Sequence, residues 1–228
     1  KQIKKIIKTN FSNIQYFKSQ RIKHDDINSV VTLIHTKNQI FTLHEILNIK
    51  SKNRIESICK IVNYCYKNKI KVPKPIQTDN KKFLINNIYL TSFIEGKKFS
   101  NDIYEFNDLA KNIALLHKKL REYPEHVPKN IHQKYYAPLS LKNLEEIISN
   151  TKKSKIDLLI KKNYLLIKQS ILLEKKIPKL FRKNKQLIHF DLQPKNILFK
   201  NKKLSGILDF NSVQYGDSFE DVLFAGFR

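Results

Sequence analysis

Residues 187–210 read Leu-Ile-His-Phe-Asp-Leu-Gln-Pro-Lys-Asn-Ile-Leu-Phe-Lys-Asn-Lys-Lys-Leu-Ser-Gly-Ile-Leu-Asp-Phe. Two apolar runs, Asn196–Lys200 and Leu204–Asp209, flank the polar turn Asn201-Lys202-Lys203, which is the pattern of a β-hairpin. A third short run, Leu187-Ile188, precedes His189. Asp191, Asn196 and Asp209 stand at the margins of these strands. They are the residue types that phosphoryl transfer uses: a carboxylate base for an acceptor hydroxyl and two oxygen ligands for Mg²⁺. Their spacing is His-x-Asp-x-x-x-x-Asn, with Asp-Phe thirteen residues after the Asn.

Working outward, the N-terminal half changes period several times. Lys1–Lys8 reads as an amphipathic helix with Ile3, Ile6 and Ile7 on one face. Val30–Thr36 and Ile40–Glu45 form a hairpin pattern around Lys37-Asn38-Gln39. Ile55, Ile58, Cys59, Val62, Cys65 and Tyr66 then recur at helical spacing, and the helix is expected to stop before Val72-Pro73. Phe83–Ile85 and Ile88–Phe93 read as strands on either side of the turn pair Asn86-Asn87. After Glu95-Gly96-Lys97 the chain reads mostly helical, with Phe106, Leu109, Ala110, Ile113, Leu116 and His117 on one face. A looser stretch runs through Pro124, Pro128 and Pro138, and Leu144–Leu173 reads as one or two long helices. The expected fold is α+β and two-lobed: a small antiparallel-sheet lobe over 1–95 and a mainly helical lobe over 96–228.

Bulk properties exclude several classes. No run of about 18 uncharged apolar residues exists, so the chain offers no membrane span. The charged N-terminus is not a signal peptide. Cys59 and Cys65, six apart in a helical pattern, form neither a metal pair nor a disulfide framework and suit buried thiols in a reducing cytoplasm. The formal charge of +24 invites a nucleic-acid partner. However, 39 Lys against 5 Arg, with 31 Ile and 22 Asn beside 4 Ala and 4 Gly, is the bias of A/T-rich codons. The lysines are also spread along the chain, and Arg, the better phosphate and base reader, is scarce. Composition thus accounts for the basicity without a nucleic acid. It does not fix the oligomeric state.

Four segments in order resemble the aminoglycoside phosphotransferase and choline kinase superfamily, which includes homoserine-kinase-like and sugar-kinase-like members. Lys71-Val72-Pro73-Lys74-Pro75 is similar to its V-P-x-P, and Tyr89–Gly96 to the hinge between its lobes. Leu109-Ala110 through Leu116-His117 is similar to its L-A-x-L-H helix. The fourth is Ile188–Asn196 with Gly206–Phe210 and Gly216-Asp217 before Asp221. The resemblance covers about residues 20–228 and implies a kinase-like fold, ATP or GTP as donor, Mg²⁺ as metal and a small-molecule acceptor.

It implies a role for each matching residue. Asp191 would orient or deprotonate the acceptor hydroxyl, and Asn196 and Asp209 would bind the metal. His189 would hold the loop by hydrogen bonds. Backbone groups of Ser92, Phe93 and Ile94 would meet the base. Glu56 is the natural partner for a phosphate-contacting side chain on the preceding strand, where the sequence has His44 instead of the usual lysine. Ser19–Ser29 has no glycine for a phosphate cradle, so Asn28 and Ser29 side chains would substitute. Asp217 and Asp221 read as caps of the following helix. Family members continue with further helices, so the chain is expected to be incomplete at its C-terminus. Alternative readings are a small atypical protein kinase and a non-catalytic pseudokinase module.

Overall fold

The computed structural model describes residues 2–22, 29–47, 52–100, 102–125, 127, 141–149, 155–176 and 185–226. Asn28, and the segment around Pro128 and Pro138, lie outside these residues. The chain divides into two compact units, one of residues 1–132 with 186–228 and one of residues 133–185. Every element of the site described below belongs to the first.

That unit opens with α1 (Gln2–Asn10), whose Ile7 is fully buried. Strands β1 (Lys18–Ile22), β2 (Ser29–His35), β3 (Ile40–Ile46), β4 (Pro75–Ile76), β5 (Leu84–Ile85) and β6 (Ile88–Ser92) form an antiparallel sheet in the order β1-β2-β3-β6-β4, with β5 also on β6. Strand alternation divides the sheet's residues between two surroundings. Phe41, Leu43, Ile88 and Leu90 join Ile7, Phe11 and Ile14 in one apolar cluster. Their alternates Thr42, His44, Tyr89 and Thr91 line a cavity instead.

β1 was not expected, because Lys18–Ile22 falls largely in a stretch that reads as loop. The strand lies at the sheet edge with four of its five residues exposed, so it carries no alternating apolar signal.

α2 (Lys52–Lys67) buries Ile55, Ile58, Cys59, Val62 and Cys65 as expected and Ile61 besides, whereas Tyr66, expected on the same face, is exposed. It closes at Lys69, which takes φ 62°, with the Ile70 amide donating back to the Cys65 carbonyl at 3.0 Å. β7 (Lys97–Lys98) follows the hinge, and α3 (Ile103–Arg121) is capped by Asp102, whose carboxylate accepts from the Tyr104 amide. That bond holds the Asp102 carboxyl below its ordinary value. α3 buries Leu109, Ile113, Leu116, His117 and Leu120. Phe106 and Ala110, expected on that face, are exposed.

β8 (Gln186–Ile188) pairs with β11 (Gln214–Gly216), and β9 (Ile197–Lys200) with β10 (Lys203–Ile207) and β7. The β9–β10 turn is Asn201-Lys202, both with positive φ, the turn that matches strand twist in a two-residue hairpin. α7 (Ser218–Gly226) ends the described chain. In the second unit, α4 (Leu141–Ser149), α5 (Lys155–Lys162) and α6 (Tyr164–Lys176) pack on one another. Three shorter helices thus stand where one or two long ones were expected. Asn163 separates α5 from α6, its side chain donating to the Leu159 carbonyl at 2.8 Å.

Candidate functional site

The loop between β8 and β9 is built by backbone constraint. Phe190 takes φ 63°, a conformation that a bulky residue holds only under outside restraint. The restraint is Asp221, which is fully buried on α7. Its carboxylate accepts the Phe190 N–H at 2.6 Å and the His189 N–H at 2.9 Å. Asp217 caps α7 through the Phe219 N–H, as expected, but Asp221 does not cap; its oxygens turn inward to the loop. Sequence reading missed this because an acidic residue in a first helical turn looks like a helix-end charge.

His189 closes the other side. Its Nε2–H donates to the Leu208 carbonyl at 2.9 Å, while Nδ1 accepts the Asp191 N–H at 3.2 Å. One neutral tautomer satisfies both bonds. The ring also meets Phe210 edge-on at 4.4 Å. The imidazole therefore ties the residue before Asp209 to the residue that begins the acidic loop.

Asp191 is held as an acceptor. Asn196 Nδ2 donates to its Oδ2 at 2.9 Å and to its backbone carbonyl at 2.9 Å. Gln193 Nε2 donates to its Oδ1, a contact the sequence did not suggest. Asn196, 6% exposed, is fixed in turn by the Leu208 N–H donating to its carbonyl at 2.8 Å. Asp209 takes φ 60° and ψ 66°, its carboxylate accepting the Asn211 N–H.

Asn196 and Asp209 line a cavity of about 440 Å³ with Ser29, His44, Ser92, Phe93 and Ile94. Asp191 and His189 are not among its lining residues. His44 lies opposite Tyr89 across β3 and β6, the two rings stacked 4.5 Å apart, and its Nε2 is 3.3 Å from Thr91 Oγ1. Glu56 does not turn to position 44: its carboxylate accepts the Phe83 and Leu84 N–H groups at 3.2 and 3.0 Å, because α2 lays that turn over the start of β5.

The hinge is pinned by backbone. Ser92 N–H donates to the Lys74 carbonyl at 2.8 Å and Phe93 N–H to the Ile40 carbonyl at 3.1 Å. A Cβ on Gly96 would press on Leu198 Cβ and on the Phe199 carbonyl, so glycine is what lets the hinge lie against β9.

Cys59 lines the same cavity. Burial pushes both thiols up, Cys65 to about 12, so neither is a nucleophile at neutral pH. Among the described residues no group of three or more His, Cys, Asp or Glu side chains is placed to hold a metal ion, and no helix is long and apolar enough to cross a membrane. The arrangement suits a cation held by few protein oxygens and completed by ligand oxygens, the habit of Mg²⁺. Asn196 fits that use, since its amide nitrogen is taken up by Asp191 and its oxygen is the remaining group.

The sequence profile of the phosphotransferase enzyme family matches residues 19–227. Among solved structures, a spectinomycin phosphotransferase complexed with ADP and spectinomycin is similar at 17% identity with a TM-score of 0.71, covering 99% of this chain and 72% of its own. An amicoumacin kinase complexed with AMP-PNP and Ca²⁺ is similar at 15% identity and TM-score 0.69, covering 97% and 67%. The macrolide 2'-phosphotransferase of Brachybacterium faecium is similar at 8% identity and TM-score 0.60, covering 98% and 76%. These likenesses establish a kinase-like α+β fold. No curated protein matches the chain.

Proposed function

Because this chain belongs to the phosphotransferase enzyme family and is a kinase, we propose that it moves the γ-phosphate of ATP or GTP to a hydroxyl of a small molecule. One observation carries the reading: Asn196 and Asp209 line one cavity with the hinge, and Asn196 is bonded to the Asp191 carboxylate. Nucleotide end, metal ligands and base are thereby linked through few side chains.

The roles follow from the chemistry of each group. The acceptor oxygen attacks the γ-phosphorus, the bond to the β–γ bridging oxygen breaks, and the hydroxyl proton passes to Asp191. Two donated amide bonds hold that carboxylate in one orientation, so positioning costs little at the moment of reaction. Asn196 Oδ1 and the Asp209 carboxylate would hold Mg²⁺, which when bound neutralises charge on the phosphates. Ser92 and Phe93 have their N–H groups taken by Lys74 and Ile40, which leaves the base edge to the Ile94 N–H and the carbonyls of that segment. His44 donates to phosphate from β3, Ser29 does so from the first position of β2, and Asn28 is proposed to add its side chain. Glu56 braces β5.

The acceptor is a metabolite hydroxyl of the amino-alcohol, homoserine or sugar class. An antibiotic hydroxyl is the second reading, favoured by the spectinomycin, amicoumacin and macrolide enzymes to which the fold is similar.

The test is a phosphorylation screen over amino alcohols, sugars, nucleosides and antibiotics, with thermal-shift titration of Mg·ATP and Mg·GTP. Millimolar nucleotide raises the melting temperature, and Asp191→Asn lowers turnover by at least about 100-fold while the melting temperature stays within about 2 °C. Near-normal turnover in Asp191→Asn would sink the assignment.

A further inference from the structure

His44 stands on β3 where the kinase pattern has a lysine held by a helix glutamate. Both partners of that pair are changed in this chain. Glu56 accepts the Phe83 N–H at Oε1 and the Leu84 N–H at Oε2. His44 lies instead on Tyr89 of β6, the two rings stacked with 4.5 Å between centroids and 4° between planes. The two residues are register partners on paired strands, which keeps their side chains in reach of each other. Tyr89 is half-buried and packs against the core to which α2 contributes, so its ring is a fixed platform. His44 Nε2 is also 3.3 Å from Oγ1 of Thr91, a buried residue. Tyr89 thus sets the plane of the imidazole, and Thr91 sets its turn within that plane. All three side chains line the cavity shared with Asn196 and Asp209.

We propose, on the reading of His44 as a phosphate donor, that Tyr89 is its positioning residue and that this aromatic pair replaces the lysine–glutamate pair in holding the nucleotide phosphates. The outer torsion of a histidine side chain is broad, so an unstacked imidazole on β3 samples many ring orientations and few of them aim an N–H at a phosphate. The stack removes that freedom before the nucleotide arrives. It also strengthens when the ring takes up a proton beside the phosphates, because an imidazolium is drawn to the negative face of the Tyr89 ring. Tyr89 therefore acts through His44 and not on the nucleotide directly.

The test is a double-mutant cycle on the whole chain, read as the Kd of Mg·ATP and of Mg·GTP by isothermal titration calorimetry. Tyr89→Leu removes the ring and keeps apolar bulk, Tyr89→Phe keeps the ring, and His44→Ala removes the donor. Tyr89→Leu weakens nucleotide binding by at least about 5-fold, and Tyr89→Phe recovers most of that loss. His44→Ala weakens binding at least as much as Tyr89→Leu. In the double variant Tyr89→Leu/His44→Ala the loss stays within about 2-fold of that in His44→Ala, because Tyr89 then has no donor to place. An unchanged Kd in Tyr89→Leu overturns the proposal. So does a loss in Tyr89→Phe equal to that in Tyr89→Leu, and so do losses that multiply in the double variant, the result expected of a Tyr89 that merely shapes the cavity. Should Tyr89→Leu not fold, Tyr89→Val, whose branched Cβ suits a strand, takes its place. A wild-type chain that binds neither nucleotide overturns the nucleotide reading together with the proposal. A wild-type chain that binds one, with any of the three overturning results, overturns the proposal alone.

Discussion

Asp221 accepts three donors with no exposed surface, so its replacement leaves buried groups unpaired rather than returning them to water. Asp221→Asn puts an amide nitrogen against an N–H and removes the charge that favours all three bonds. The expected cost is about 3 kcal/mol, read from the urea midpoint at unchanged slope. Asp191, Asn196 and Asp209 were legible because phosphoryl transfer needs those residue types and because they lie within nineteen positions of each other. Gln193, two residues after Asp191, was in plain sight but carries no chemistry by residue type; its contact with Asp191 arises from the turn that leads into Pro194. Asp221 was legible as an acidic residue at a helix start and misread as a cap.

Among the elements, helices and hairpins with one buried face declared themselves. α2 placed its apolar residues at the spacing read from sequence, and β2, β3 and β6 alternated between the α1 cluster and the cavity. The two-residue and three-residue strands β4, β7 and β11 did not, because a strand that short holds less than two periods of alternation. β7 matters despite its length, since it brings the hinge against β9, where Gly96 touches Leu198 and Phe199. Gly96→Ala is expected to cost about 1–3 kcal/mol, because the Phe199 carbonyl belongs to a paired strand and cannot yield. Differential scanning calorimetry of the variant checks this. The Glu95–Lys200 ion pair beside it is exposed on both sides and adds little.

For the whole molecule, the charge of +24 is a composition effect, yet it is also a field. A nucleotide is a small polyanion, so association with this chain is accelerated at low salt. Raising ionic strength from about 0.05 to about 0.5 M is expected to slow nucleotide association several-fold while the dissociation rate changes little. Stopped-flow binding of a fluorescent nucleotide measures both, and a salt-independent association rate would show that the charge is spread too evenly to steer.

The amino-acid sequence by itself determined the chemistry on offer: a carboxylate, an amide and a second carboxylate at kinase spacing, helices and hairpins at their natural periods, and two thiols on a buried helical face. Those properties are local, set by residue type and by which positions share a face within a few turns or strand steps. Tertiary structure decided what cannot be counted along the chain. It put His117 against Asp221 across 104 positions, turned Glu56 to β5 rather than to His44, and placed β1 at the edge of the sheet. Each of these depends on which faces meet once the apolar clusters form, and a polar side chain contributes no period of its own to announce its partner.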